Sequence, residues 1–156
     1  MYQYTIYAHS VLRWIILLLL IVNLIKHLSS FNVYFTKNDR KLSLFLMIFC
    51  HIQLLLGLYQ WFFGNTGLRL IKAMGGMVGV MKDAAARFWV VEHTTAMVVA
   101  IILITVAHGV TKRNYTDSRK HKRMALLYFV ALLLILAAVP WPMREAASRP
   151  FWPSLS

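Results

Sequence analysis

The residues of this chain best suited to chemistry are its six histidines, His9, His27, His51, His93, His108 and His121, with Arg13 and Glu92 close to two of them. Imidazole nitrogens bind haem iron and other transition metals, and an ionisable side chain within an apolar segment is costly enough to mark function. Helical residues turn by about 100° each, which places Arg13 at about +40°, Asn23 at about −40° and His27 at about 0° relative to His9. These four form one polar stripe on a segment otherwise rich in leucine and isoleucine. Such a stripe faces other helices, either to hydrogen-bond across a contact or to hold a ligand. Cys50, Gln53, Gly57 and Gln60 share a face of a second segment, with His51 turned about 160° from Gln53, so that segment is expected to touch two neighbours. In a third, Glu92, His93, Thr94 and Thr95 lie near one end and His108 near the other. Ala96 and Ala100 keep the surface beside His93 small, leaving room for a cofactor plane or another helix.

The elements that must position these side chains are four apolar stretches, at about residues 5–28, 42–63, 88–110 and 124–140. Each is close to the 20 or so residues that cross a bilayer. The 156-residue chain is 60% hydrophobic and 14% charged, with mean hydropathy +0.62. A soluble domain carries about 25% charged residues. The composition therefore excludes a soluble enzyme, a disordered tail and a disulfide-built secreted domain. The lone Cys50 forms no intrachain disulfide. Spans must satisfy their own backbone, and no short alternating segments suggest a barrel, so the fold class is all-α. The expected architecture is an integral membrane up-down four-helix bundle, a single domain over 1–156 with a glycine-rich loop 64–87. All four prolines fall in the tail 140–156, where they stop the last helix. The fourth stretch carries no charged or histidine residue from Met124 through Met143 and reads as a packing wall. No internal repeat is evident.

The formal charge of +12 sits mainly between the spans. It points to topology and anionic lipid rather than nucleic acid, since no basic domain lies outside the apolar stretches. Ten of the seventeen basic residues (Lys26, Lys37, Arg40, Lys41, Lys112, Arg113, Arg119, Lys120, Lys122, Arg123) gather at the first and third connections. Those connections are expected in the cytoplasm, with both termini and the glycine-rich loop outside. Trp14, Trp61, Trp89, Trp141 and Trp152 all map to the expected outer side. The first apolar run has neither a basic lead nor a small-residue cleavage site after it, so it is expected to stay in place.

Counting about 20 residues outward from the basic anchors, at 1.5 Å each, puts His9 and His93 at one outer level, His51 near mid-membrane, and His27 and His108 near the inner level. Equal depth on different helices suits bis-histidine haem ligation, with Arg13 one turn away to pair with a propionate or with Glu92. A looser inner option uses His51 or His27 with His108. His27 and His121 border basic loops and read as interfacial or solvated. A zinc or copper site from His9, His51 and His93 is weakened by the depth of His51.

His9-Ser10-Val11-Leu12-Arg13-Trp14, His51-Ile52-Gln53-Leu54-Leu55-Leu56-Gly57-Leu58, Glu92-His93 and Pro140-Trp141-Pro142-Met143-Arg144 occur in this order. In this the chain resembles, over nearly its whole length, small four-helix membrane proteins of Bacteroidota catalogued as "cytochrome B". The resemblance implies His9, Arg13, His51, Gln53, Glu92, His93 and Arg144 as site positions; His27 and His108 are outside the pattern. The expected function is a b-type cytochrome-like subunit of the bacterial inner membrane. It would pass electrons between quinol and a partner through haem b on histidines drawn from His9, His93, His51 and His108, with Arg13, Gln53, Glu92 and Arg144 around the cofactor. Two other classes fit the residues: a haem-free structural or accessory subunit of a larger membrane complex, in which Arg13 and Glu92 pair, and an ion or small-molecule carrier using Glu92.

Overall fold

The computed structural model describes residues 2–143 and Pro150; Arg144 and Trp152 lie outside the described residues. The helices are α1 (Tyr2–Ser29), α2 (Lys37–Phe63), α3 (Leu68–Ala73), α4 (Met77–Lys82), α5 (Ala84–Arg87), α6 (His93–Val110) and α7 (Asp117–Ala138). A π-helical turn, Phe88–Glu92, joins α5 to α6 without a break. Four stretches, Tyr2–Ser29, Lys37–Ala73, Ala84–Val110 and Asp117–Ala138, are each long and apolar enough to cross a membrane. The protein is an all-helical, multi-pass membrane four-helix bundle.

Helix ends follow capping chemistry rather than hydropathy. α2 begins at Lys37, ahead of its apolar run, because extended Thr36 caps it: Thr36 Oγ1 accepts from the Asp39 N–H, and the Asp39 carboxylate accepts from the Thr36 N–H at 2.7 Å. α7 begins after Thr116, which is extended but makes no side-chain cap bond. It ends at Ala138 because Pro140 forces Val139 out of the helical region, to φ −70° and ψ 135°. The glycine-rich loop, expected to be irregular, instead folds into α3 and α4. Gly75 and Gly76, with φ of 71° and 106°, make the turn between them that other residues would resist. Val80, Ala86 and Val90 form a small separate core beneath that loop.

In the bundle, α1 packs against α2 and α7, and α6 packs against the same two. Hence α1 and α6 stand at opposite corners of a square, as do α2 and α7. Buried Ala100 and Ala107 on α6, and Ala125 and Ala131 on α7, let helix backbones approach closely, which drives association where lipid removes the hydrophobic incentive. Leu20, Leu46, Ile104, Met124 and Tyr128 fill the centre. Leu18, Ile25, Leu55, Ile102 and Leu133 point outward as an apolar surface suited to acyl chains.

Candidate functional site

Between the opposite corners α1 and α6, at the end of the bundle bearing the glycine-rich loop, lies a partly open cleft with about 130 Å³ of free internal volume. Its walls include His9, Arg13, Gln53, Gly57, Trp61 and His93. The His9 and His93 rings face one another with centroids 6.5 Å apart and planes tilted by 55°. Two imidazoles held on opposite sides of one metal ion, each at about 2 Å, have centroids roughly 6 Å apart. Buried Cys50 also lines the cleft.

Neighbouring helices hold the His93 ring and the His9 backbone. The His93 Nδ1–H donates to the Ala138 carbonyl at the end of α7, at 2.8 Å. Because a carbonyl can only accept, this bond leaves the ring's lone pair on Nε2 when the imidazole is neutral. The π turn immediately before His93 adds a residue to the helical repeat and sets the direction in which this side chain leaves the helix. Phe88 and Trp89 from that turn pack on the His93 ring, each at 5.9 Å. On α1, the His9 backbone carbonyl accepts from Gln53 Nε2 at 2.9 Å, and the Thr5 carbonyl accepts from Gln60 Nε2 at 2.9 Å. These two bonds lock α2 onto α1. Gly57 then lies against the His9 ring, where an added Cβ would come within 3.4 Å of Cε1. Two buried polar atoms on the cleft wall, Gln53 Oε1 and Trp61 Nε1, have no hydrogen-bond partner among the described residues.

The remaining expected site residues are placed elsewhere. His51 is exposed on the outward face of α2, its Nδ1–H donating to the Met47 carbonyl of its own helix at 2.7 Å. The expectation that this face meets a second neighbour is therefore corrected, and His51 joins neither His9 and His93 nor His108. Among the described residues, no group of three or more histidine, cysteine or carboxylate side chains is gathered as a metal site. Glu92 is exposed and pairs with Arg87, one turn back on the same rod, at 2.8 Å. The anticipated Arg13–Glu92 pair is thus replaced by a local one across five residues, which the wider π turn Phe88–Glu92 brings onto one face. Arg13 lines the cleft with its guanidinium 5.2 Å from the Trp14 ring. Arg144 falls outside the described residues.

A second polar cluster, not anticipated as a unit, occupies the opposite, basic end. His27 and His121, expected to be solvated, are fully buried, with their Nδ1 atoms 2.8 Å apart. α1 and α7 are adjacent there, and Phe35 from the connection stacks on His27 at 6.2 Å, closing off water. Tyr128 Oη donates to Ser43 Oγ at 2.8 Å, and Ser43 Oγ lies 3.1 Å from His108 Nδ1. Ser43 thus bridges Tyr128 on α7 and His108 on α6. His108 is therefore spent on a hydrogen bond to α2, not turned towards His51 or His27. α7 is accordingly more than a packing wall: it supplies His121, Tyr128 and the carbonyl that holds His93. Asp39, buried at the cap of α2, adds an ion pair to Lys26 at 3.1 Å. Lys120 sits over Phe35, and Arg119 and Arg123 sit over Tyr115, fastening both basic connections. The sequence signal for this cluster was the stripe joining His27 to Asn23, together with the aromatics Phe35 and Tyr115.

Comparison with protein-family models, with curated proteins and with solved structures gives no match for this chain.

Proposed function

We propose that the cleft between α1 and α6 holds one b-type haem, ligated by His9 and His93, and that the protein is an electron-transfer subunit of a bacterial inner membrane. The single observation carrying this reading is the pair of facing imidazoles across an open, largely apolar cleft, 6.5 Å between centroids. The donor set fits the group. His9 and His93, two imidazoles from facing helices, would hold such a group, as side chains on facing helices do in helical bundles. The Nδ1–H bond to Ala138 keeps His93 in a tautomer able to ligate through Nε2. Arg13 and the Trp61 indole N–H offer a positive charge and a donor to the carboxylates that such a cofactor carries. Bound there, haem supplies one-electron redox chemistry. The protein's part is to fix the two rings, exclude bulk water and shape the surrounding charge.

The concentration of basic residues at one end supports the orientation in which that end faces the cytoplasm and the cleft lies towards the outer leaflet. A lipid-soluble donor such as a quinol reaches a cleft at that depth without leaving the bilayer, and a partner subunit would accept the electrons.

The test is a haem titration of purified protein in detergent. The wild type is expected to saturate at one haem per chain with a six-coordinate low-spin spectrum. His9→Ala and His93→Ala each lose that spectrum and regain it in part with added imidazole. Unaltered low-spin binding in both variants would overturn the ligand assignment.

A further inference from the structure

The cations at the basic end of the bundle are held in two ways. On the α7 side, rings engage them: Lys120 sits over Phe35, Lys122 over Phe31, and Arg119 and Arg123 over Tyr115. On the α1–α2 side, Lys26, Asn38, Lys41, Leu42 and Phe45 line an open groove. The α2 residues share one face by helical spacing, and Lys26 comes from the last turn of α1. Lys26 gives one ammonium N–H to Asp39, at 3.1 Å, and keeps two further donors. Asp39 is buried and also accepts from the Thr36 N–H and Oγ1, while Asp117, the other acid at this end, belongs to α7. Lys41 and Asn38 are exposed and, among the described residues, make no side-chain bond. The mouth of the groove is therefore left with an unbalanced positive charge.

Polarity changes along the groove in a fixed order. One turn deeper than the two lysines, Val22 on α1 and Phe45 on α2 are exposed, and the next turn brings Leu18 and Ile48. Cations at the mouth with apolar surface below match the order of groups in a phospholipid, whose phosphate sits at the interface above its chains. Lysine suits that level, because its stem lies along apolar surface while the ammonium stays among the headgroups. We propose that this α1–α2 groove binds one anionic phospholipid from the leaflet at the basic end: Lys26, Lys41 and the Asn38 amide hold its phosphate, and its chains lie over Val22 and Phe45. A zwitterionic headgroup carries its own cation and gains less from two lysines. The site follows from the membrane-spanning fold, and rests neither on haem nor on which side the basic end faces.

The experiment is native mass spectrometry of the full-length protein in detergent, titrated with phosphatidylglycerol or with phosphatidylcholine of the same chain length. The wild type is expected to retain one phosphatidylglycerol per chain at concentrations where phosphatidylcholine is not retained. Lys41→Gln weakens that binding about five-fold, the worth of one lysine at a membrane surface, and Lys41→Arg keeps it. Lys112→Gln removes the same charge from the other basic connection, outside the groove, and leaves the affinity unchanged. All three substitutions are at exposed positions, and circular dichroism checks that each variant stays helical. Thermal unfolding gives the second readout: phosphatidylglycerol raises the midpoint of wild type and Lys112→Gln by more than that of Lys41→Gln. Equal losses in Lys41→Gln and Lys112→Gln would mean attraction to the charged end as a whole, and would overturn the site. Equal retention of the two lipids would overturn it too, as would stabilisation by inorganic phosphate alone to the extent given by the lipid.

Discussion

The two ends of this bundle use the same side chain to opposite effect. At the glycine-rich end, His9 and His93 come from helices at opposite corners of the square, and space remains between their rings. At the basic end, His27 and His121 come from adjacent helices, and their ring nitrogens meet directly at 2.8 Å. A diagonal pair can hold something between its members; an adjacent pair satisfies itself. Backbone carbonyls complete the difference. His93 is oriented from outside the pair by Ala138, whereas His27 and His121 spend their Nδ1 atoms on one another. One end leaves a cleft between its rings, and the other locks the basic connections onto the bundle through Thr36, Asp39, Lys26 and the Tyr128–Ser43–His108 chain.

That contrast can be broken by substitution. The largest effect is expected at the open end: His9→Ala or His93→Ala abolishes stoichiometric haem binding while the purified protein stays helical by circular dichroism. At the closed end, His121→Ala removes a buried ring and leaves the His27 Nδ1 without its partner. It should cost about 3 kcal/mol of stability in detergent unfolding, with the haem stoichiometry of the folded fraction unchanged. Tyr128→Phe deletes one buried hydrogen bond and should cost about 1 kcal/mol by the same assay. The smallest effect belongs to His51→Ala: its ring is exposed and bonded within its own helix, so haem content and unfolding midpoint should both match wild type. A drop in haem content for His51→Ala, or its retention in His93→Ala, would erase the proposed division between the two ends.

The fold was legible because hydropathy and helical period are read along a single segment. Four apolar runs, the His9–Arg13–Asn23–His27 stripe and the stop at Pro140 all follow from local spacing. Equal depth also brought His9 and His93 to one level by simple counting along each span. What stayed hidden depends on which helices are neighbours. His27 and His121 border lysine-rich connections, so one segment at a time they read as solvated; only the adjacency of α1 and α7, with Phe35 folded over them, buries the pair. Glu92 is a related case: its partner Arg87 lies five residues back on the same rod, a spacing that α-helical counting does not pair and that the π turn brings together. The Ala138 carbonyl and the π turn before His93 involve backbone geometry, which residue types do not report.

The most direct measurement is a reduced-minus-oxidised visible spectrum of the full-length, detergent-solubilised protein expressed with ample haem, with haem quantified per chain. The account requires a sharp α-band from one b-type haem per chain, lost together with the His9 or His93 ring. A colourless protein, or a spectrum that survives both substitutions, would contradict it.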